Sequence, residues 1–173
     1  MPPLCTAGRQ DLIIASPDCV IKTPIGKLGV ITADSSLSGL FWLNQQTRLV
    51  PPKGRFAKDI CNAVSRYFKY SNKFPEFPLK LLGTQFQKRV WREMQNIPVG
   101  AVVTYGQLAK KLKTGSRAIG MACRTNPVVI LVPCHRVVSA QGIGGYMGKL
   151  KQLQVKEWLL VHEGVSCQKM TGN

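Results

Sequence analysis

The chain has 173 residues, 45% of them hydrophobic, which is enough for one well-filled core or two small ones and excludes a disordered chain. Its net charge is +16, from 24 Lys and Arg against 8 Asp and Glu, and residues 84–173 alone carry 13 basic against 3 acidic side chains. That excess suits a polyanionic partner, nucleic acid first, because each neutralised phosphate releases counterions; a bias kept for solubility is the alternative.

Residues 1–12 lack the basic start and apolar core of an export signal, and no stretch approaches the ~20 apolar residues that span a bilayer. The expectation is a cytoplasmic protein without membrane contact. The six cysteines lack paired short spacings and read as reduced thiols. No C-x-x-C is present and both histidines are distant from the N-terminal cysteines, so no metal or cofactor is expected.

In chain order, short apolar runs alternate with turn residues between Val20 and Leu43, which predicts a small antiparallel sheet. Ile60, Val64, Tyr67 and Phe68 recur at helical spacing over residues 56–70, so one helix on one sheet makes an N-terminal unit. Residues 71–83, with Pro75 and Pro78, read as a linker, dividing the chain into units 1–83 and 84–173. Thr84 with Gln87 forms a capping box that opens a helix carrying Phe86, Val90, Met94 and Ile97 on one face. Thr104 with Gln107 repeats the signature, and Ser116 as N-cap starts a third helix after the break at residues 113–115. This pair has the length and turn of a helix-turn-helix. The last helix spans residues 152–163, closed by Gly164. The fold class is therefore α/β: a small N-terminal antiparallel sheet with a helix, then a mainly helical, winged-helix-like C-terminal unit.

The chemistry concentrates at Pro133-Cys134-His135-Arg136. The apolar run 128–132 predicts a buried strand ended by Pro133, delivering a thiol and an imidazole together at its end. A free thiol titrates at about 8.5 and needs a base or a cation to become a nucleophile. Neighbours in an extended chain point to opposite sides, so Cys134 and His135 need a turn or a bridging water to communicate. Acids are scarce, and Glu163 at the end of the last helix is free to face a loop. On these residues alone Cys134 is either a nucleophile or a buried structural thiol.

Pro133-Cys134-His135-Arg136-Val137, with Arg117-Ala118-Ile119-Gly120 and Asn126-Pro127 before it and Gly145-Tyr146 and the run 156–164 after it, closely resembles the O6-alkylguanine-DNA alkyltransferases. The resemblance is dense over residues 84–165 and implies a double-stranded DNA partner bearing alkylated guanine. It implies base flipping and one irreversible transfer of the alkyl group from O6-alkylguanine, and from O4-alkylthymine, to Cys134. By it, His135 draws the thiol proton through a water, Glu163 orients and charges the imidazole, Tyr105 donates to the leaving base, and Asn126 ties the helix-turn-helix to the cysteine segment. Arg117 would fill the gap in the base stack, with Ala118, Gly120 and Ala122 allowing close approach to the minor groove. Lys110, Lys111, Lys113, Arg124 and Arg136 would add contacts to DNA. Tyr146 would wall the base pocket, where the main-chain carbonyls of Cys134 and Val137 and the amide of Met147 read the base edge. The protein would act as a monomer without cofactor. One departure from the family pattern is the longer stretch between Tyr146 and Trp158, with Lys149 in place of a glycine; it either extends the last helix backward or lengthens the pocket loop. A damage-binding protein that accepts no alkyl group is the competing function, and an unrelated thiol hydrolase is a third.

Overall fold

Three antiparallel strands open the structure, as the alternation of apolar runs and turns requires. The computed structural model describes residues 16–70, 74–147 and 153–166. Strands β1 (Cys19–Thr23), β2 (Gly26–Ala33) and β3 (Ser36–Leu43) lie in sequence order. The register aligns Cys19 with Val30 and Val30 with Leu40, so these buried side chains share one face. Helix α1 (Gly54–Tyr70) contributes Ala57, Ile60, Ala63, Val64 and Tyr67 to the buried interior, the helical spacing expected of it. Residues 78–80 run beside β3: the Leu37 N–H donates to the Pro78 carbonyl at 2.8 Å and the Lys80 N–H to the Leu37 carbonyl at 3.0 Å. Phe74, Phe77, Leu79 and Leu81 pack against the core.

Both capping boxes form. Before α2 (Gln85–Gln95), Thr84 Oγ1 accepts from the Gln87 N–H at 3.2 Å while Gln87 Oε1 accepts from the Thr84 N–H at 2.8 Å. Trp91, absent from the predicted face of this helix, is its largest buried side chain and donates its indole N–H to the Ala122 carbonyl at 2.8 Å. A Cβ on Gly83 would lie 2.6 Å from the Trp91 ring, so glycine is what lets the chain enter α2 across the indole. The two-residue strand β4 (Val103–Thr104) leads into α3 (Tyr105–Lys111), whose Thr104/Gln107 box repeats the arrangement. Lys113 takes a left-handed φ of 52° and the Thr114 N–H closes on the Ala109 carbonyl at 2.9 Å, which turns the chain into α4 (Ser116–Arg124). Ser116 is not the cap: Gly115 holds that position without a side-chain bond, and Ser116 is the first helical residue. Strand β5 (Val137–Val138) pairs in parallel with β4, and α5 (Leu153–His162) ends at Gly164, φ 79°.

The predicted buried strand over 128–132 does not exist. Ile130 sits at φ 73°, an uncommon conformation for a β-branched residue, and the Val132 N–H returns to the Val128 carbonyl at 3.0 Å, so the segment is a tight loop. Val128, Val129, Ile130 and Val132 are buried, and Leu131 partly so, because the loop docks on β3: the Leu40 N–H donates to the Pro127 carbonyl at 2.9 Å, and the Val129 N–H to the Leu40 carbonyl at 2.8 Å. Burial without a ladder produces the same apolar run as a core strand, and periodicity cannot separate the two. One hydrophobic cluster thereby joins Leu28, Leu40 and Val64 to Val90, Ile119, Val128 and Leu159. Among the described residues no helix is long and apolar enough to cross a membrane.

Candidate active site

The loop that replaces the strand is shaped by Asn126. Its Oδ1 accepts from the Val128 N–H at 3.0 Å, and its Nδ2 donates to the Val132 carbonyl at 2.7 Å and to Cys134 Sγ at 3.2 Å. One buried amide therefore fixes both ends of the turn and touches the thiol. Cys134, His135 and Arg136 form a single 3-10 turn after Pro133, which breaks the extended alternation and sends three consecutive side chains inward. Cys134 is 2% exposed and His135 fully buried. Cys134 Sγ lies 3.8 Å from Met147 Sδ, in the turn where Gly144 (φ 70°) and Met147 (φ 51°) reverse the chain.

Glu163 is the centre of the arrangement. Its Oε1 is 3.0 Å from His135 Nε2 and accepts from the Tyr67 hydroxyl at 2.7 Å and from the Arg136 guanidinium at 2.8 Å; its Oε2 accepts from Arg136 Nε at 2.7 Å. Burial opposes the charge on this carboxylate, but the bonds from His135 and Arg136 outweigh it and hold Glu163 well below the usual carboxylate range. Burial pushes the His135 imidazole down, with Glu163 acting in the opposite sense. The consistent state is an ionised Glu163 beside a neutral His135 that donates from Nε2. His135 Nδ1, buried and without a hydrogen-bond partner among the described residues, then carries the basic lone pair.

Arg136 was expected at the DNA, and the structure corrects this. It is 7% exposed, its Nε and one terminal nitrogen are committed to Glu163, and the other terminal nitrogen reaches the Ile97 carbonyl at 2.5 Å. Ala122 is likewise corrected: at 1% exposure it packs inward, and its carbonyl receives the Trp91 indole. Arg117 and Arg124 lie on the exposed side of α4, with Gly120 facing open space and Met121 57% exposed between them; Ala118 is half-buried. Lys110, Lys111 and Lys113 are all exposed, and Lys111 also pairs with Glu93.

The pocket side differs from expectation in detail. The carbonyl of Cys134 accepts from the Val137 N–H, and that of Val137 accepts from Lys156 Nζ at 2.6 Å, so each of these proposed base-reading groups already holds one bond. The Tyr105 hydroxyl donates to the Gly145 carbonyl at 3.2 Å, and burial raises its pKa. Tyr146 is buried, its hydroxyl accepting from Trp42 of β3 at 3.2 Å. Of the longer stretch between Tyr146 and Trp158, residues 148–152, Lys149 among them, lie outside the described residues, and 153–157 begin α5.

Three residues of the site escaped the sequence reading. Tyr67 and Trp42 belong to the N-terminal unit and reach the site only through the fold. Lys156 is fully buried, bonded to the carbonyls of Val137 and Gly145 (3.0 Å), with burial lowering its pKa to about 8 against opposing contributions from Cys134 and Cys123. Its one sequence signal was position: in α5 it falls three residues before the buried Leu159, on the inward side of the helix.

Fold and site together define a helix-turn-helix protein carrying a buried cysteine backed by an imidazole and an ionised carboxylate. The family model described as the 6-O-methylguanine DNA methyltransferase DNA-binding domain matches residues 85–165. The methylated-DNA–protein-cysteine methyltransferase of Methanosarcina mazei is 36% identical over 151 residues, covering 82% of this chain and 92% of its own. That of Methanosarcina acetivorans is 34% identical over 158 residues, covering 86% and 97%. The crystal structure of Mycobacterium tuberculosis OGT in complex with DNA superposes with a TM-score of 0.73 at 33% identity, covering 89% of this chain and 98% of that one. The chain belongs to the methylated-DNA–protein-cysteine methyltransferase family.

Proposed function

We propose that this protein repairs double-stranded DNA by moving the alkyl group of O6-alkylguanine, and of O4-alkylthymine, onto Cys134 in a single irreversible displacement. It acts once, as a cytoplasmic monomer, with residues 84–173 as the DNA-binding and acceptor unit and residues 1–83 as its support. The observation that carries this reading is the His135–Glu163 pair at 3.0 Å with His135 Nδ1 left as the available base next to Cys134 in the chain. The thiol proton passes through a water to Nδ1 while Sγ attacks the alkyl carbon; the carbon–oxygen bond breaks as the carbon–sulfur bond forms, and the guanine leaves. Ionised Glu163 stabilises the resulting imidazolium, and Arg136 and Tyr67 keep Glu163 ionised and aimed.

Tyr105 gives up its bond to Gly145 to donate to the departing base. Arg117, on the outward side of α4, replaces the flipped base in the stack, while Ala118 and Gly120 admit the helix to the groove and Arg124 takes phosphate. Tyr146, Met147 and Val137 line the base pocket, and Asn126 holds the acceptor turn.

Incubation of the protein with duplex DNA bearing O6-methylguanine, followed by peptide mass spectrometry, tests the proposal. The Cys134 peptide should gain one methyl group in place of a hydrogen, and Cys134→Ala should bind the duplex yet gain nothing. Damage-dependent binding by the native chain with no mass change would favour the competing reading, a binder that accepts no alkyl group.

A further inference from the structure

Two thiols with no part in alkyl transfer meet where β1 packs against α1. Cys19 begins β1 and is fully buried; Cys61 lies on α1, one residue past the buried Ile60, and is half-buried. They are 42 positions apart in sequence, yet their sulfurs are 3.3 Å apart, and no disulfide joins them. A metal site does not account for the pairing. The neighbouring carboxylate is already engaged, Asp18 Oδ2 accepting from the Thr32 N–H at 2.6 Å and hydroxyl at 2.9 Å, and no cluster of three metal-binding side chains exists among the described residues.

We propose that Cys19 and Cys61 form a dithiol modification site, closed to an intramolecular disulfide by a peroxide, which ties β1 to α1. The half-buried Cys61 meets the oxidant and the buried Cys19 resolves it. Their exposure separates the roles, Cys61 half-buried and Cys19 fully buried, and the contact between them lowers the pKa of Cys61 while it raises that of Cys19, in the same sense. In the first step the Cys61 sulfur attacks one peroxide oxygen; a sulfur–oxygen bond forms, the oxygen–oxygen bond breaks, and hydroxide leaves to take up the proton released by Cys61. In the second the Cys19 sulfur attacks the sulfenic sulfur; the disulfide forms, the sulfur–oxygen bond breaks, and the Cys19 proton departs with that oxygen as water. Two thiols and one peroxide give one disulfide and two waters: the sulfurs are oxidised and the peroxide oxygens reduced. Because Cys19 is in contact at the outset, sulfenic acid at Cys61 is captured before a second peroxide can carry it to the irreversible sulfinic state.

The bond would close a long loop between the first strand and the helix that carries Tyr67, whose hydroxyl supports Glu163. It therefore stabilises the part of the fold on which the site leans without occupying the Cys134 pocket.

The full-length chain, reduced, freed of reductant and treated with one equivalent of hydrogen peroxide, is capped with N-ethylmaleimide under denaturing conditions and digested with trypsin without reduction. Peptides 10–22 and 59–66, each holding one cysteine, should appear joined with the loss of two hydrogens. The melting temperature of the oxidised protein should rise on the order of 10 °C, reversibly with dithiothreitol. Cys61→Ser should show neither effect; should that variant fold poorly, the peptide map of the native chain decides alone. Maleimide on both peptides after oxidation, a sulfinic Cys61 beside an unmodified Cys19, or a joined pair with no change in melting temperature would each overturn the proposal.

Discussion

Replacing Glu163 by Gln keeps the shape of the side chain and removes its charge, and the consequences can be worked from its four contacts. The amide oxygen still accepts from His135 or Tyr67, but the NH2 group now faces the Arg136 guanidinium, donor against donor, and that guanidinium is buried. Breaking a buried pair so that one charge is left uncompensated costs about 3 to 5 kcal/mol, which is roughly two to four decades in the folding equilibrium. Set against total stabilities of about 5 to 15 kcal/mol, this is large. Urea unfolding at neutral pH measures it directly. Adding Arg136→Met should recover much of the loss, because the second change removes the stranded cation, and the double-mutant cycle isolates that coupling.

Methyl transfer should respond differently. Glu163→Gln leaves the imidazolium without its counter-charge, so the transfer rate stays depressed in the double variant even where folding is restored. Acid supplies an independent check. Glu163 has its folded pKa depressed, so its contribution to stability is complete above the ordinary carboxylate pKa of about 4.3 and is lost as the pH falls towards the lower folded value. The native chain should therefore lose stability in that window more steeply than Glu163→Gln. A stability loss under about 1 kcal/mol, or strict additivity with Arg136→Met, would refute the assignment of Glu163 as a buried, ionised hub.

Arg117→Ala should slow transfer from duplex DNA far more than transfer from the free alkylated base, because only the duplex needs its stack held open; equal losses in the two rate assays would remove that role. Lys156 is buried as a cation with a pKa lowered to about 8. Its folded value is below the unfolded one, so its burial costs stability at neutral pH and the cost is relieved as the pH rises from about 8 to 10.4. Urea midpoints of the native chain should climb through that range relative to Lys156→Met, and parallel profiles would count against a buried cation. DNA affinity measured across salt concentrations should fall linearly on logarithmic axes, with Arg117→Ala/Arg124→Ala reducing the slope; a flat response would deny phosphate contact.

Much of this was written locally in the chain. The two capping boxes at Thr84 and Thr104 are short-range devices, complete within four residues, and both formed as the spacing required. The Cys134, His135 and Glu163 constellation was legible because its motifs occur in a fixed order, and Asn126 was placed beside Cys134 as the motif implied. What the sequence concealed was direction and distance. Val128, Val129, Ile130 and Val132 are as buried in a loop as they would be in a strand. Arg136 reads like any cation beside a DNA-binding motif until the 3-10 turn aims it inward. Tyr67 stands 96 positions from Glu163, and no local pattern announces such a bond. Small residues fit both a groove and a helix contact, so Ala122 reads as part of the outward stripe of α4, and only its burial in the fold shows that it packs inward.

The convergence on Glu163 also bears on when the thiol becomes dangerous. During synthesis Cys134 and His135 leave the ribosome well before residue 163, and Tyr67, though made earlier, has nothing to hold until then. A nascent or partly unfolded chain thus carries an ordinary thiol beside an unsupported imidazole. On the proposed mechanism, reactivity arrives only when Glu163 docks behind His135, so a molecule that reacts once is kept from spending itself before it can recognise its target.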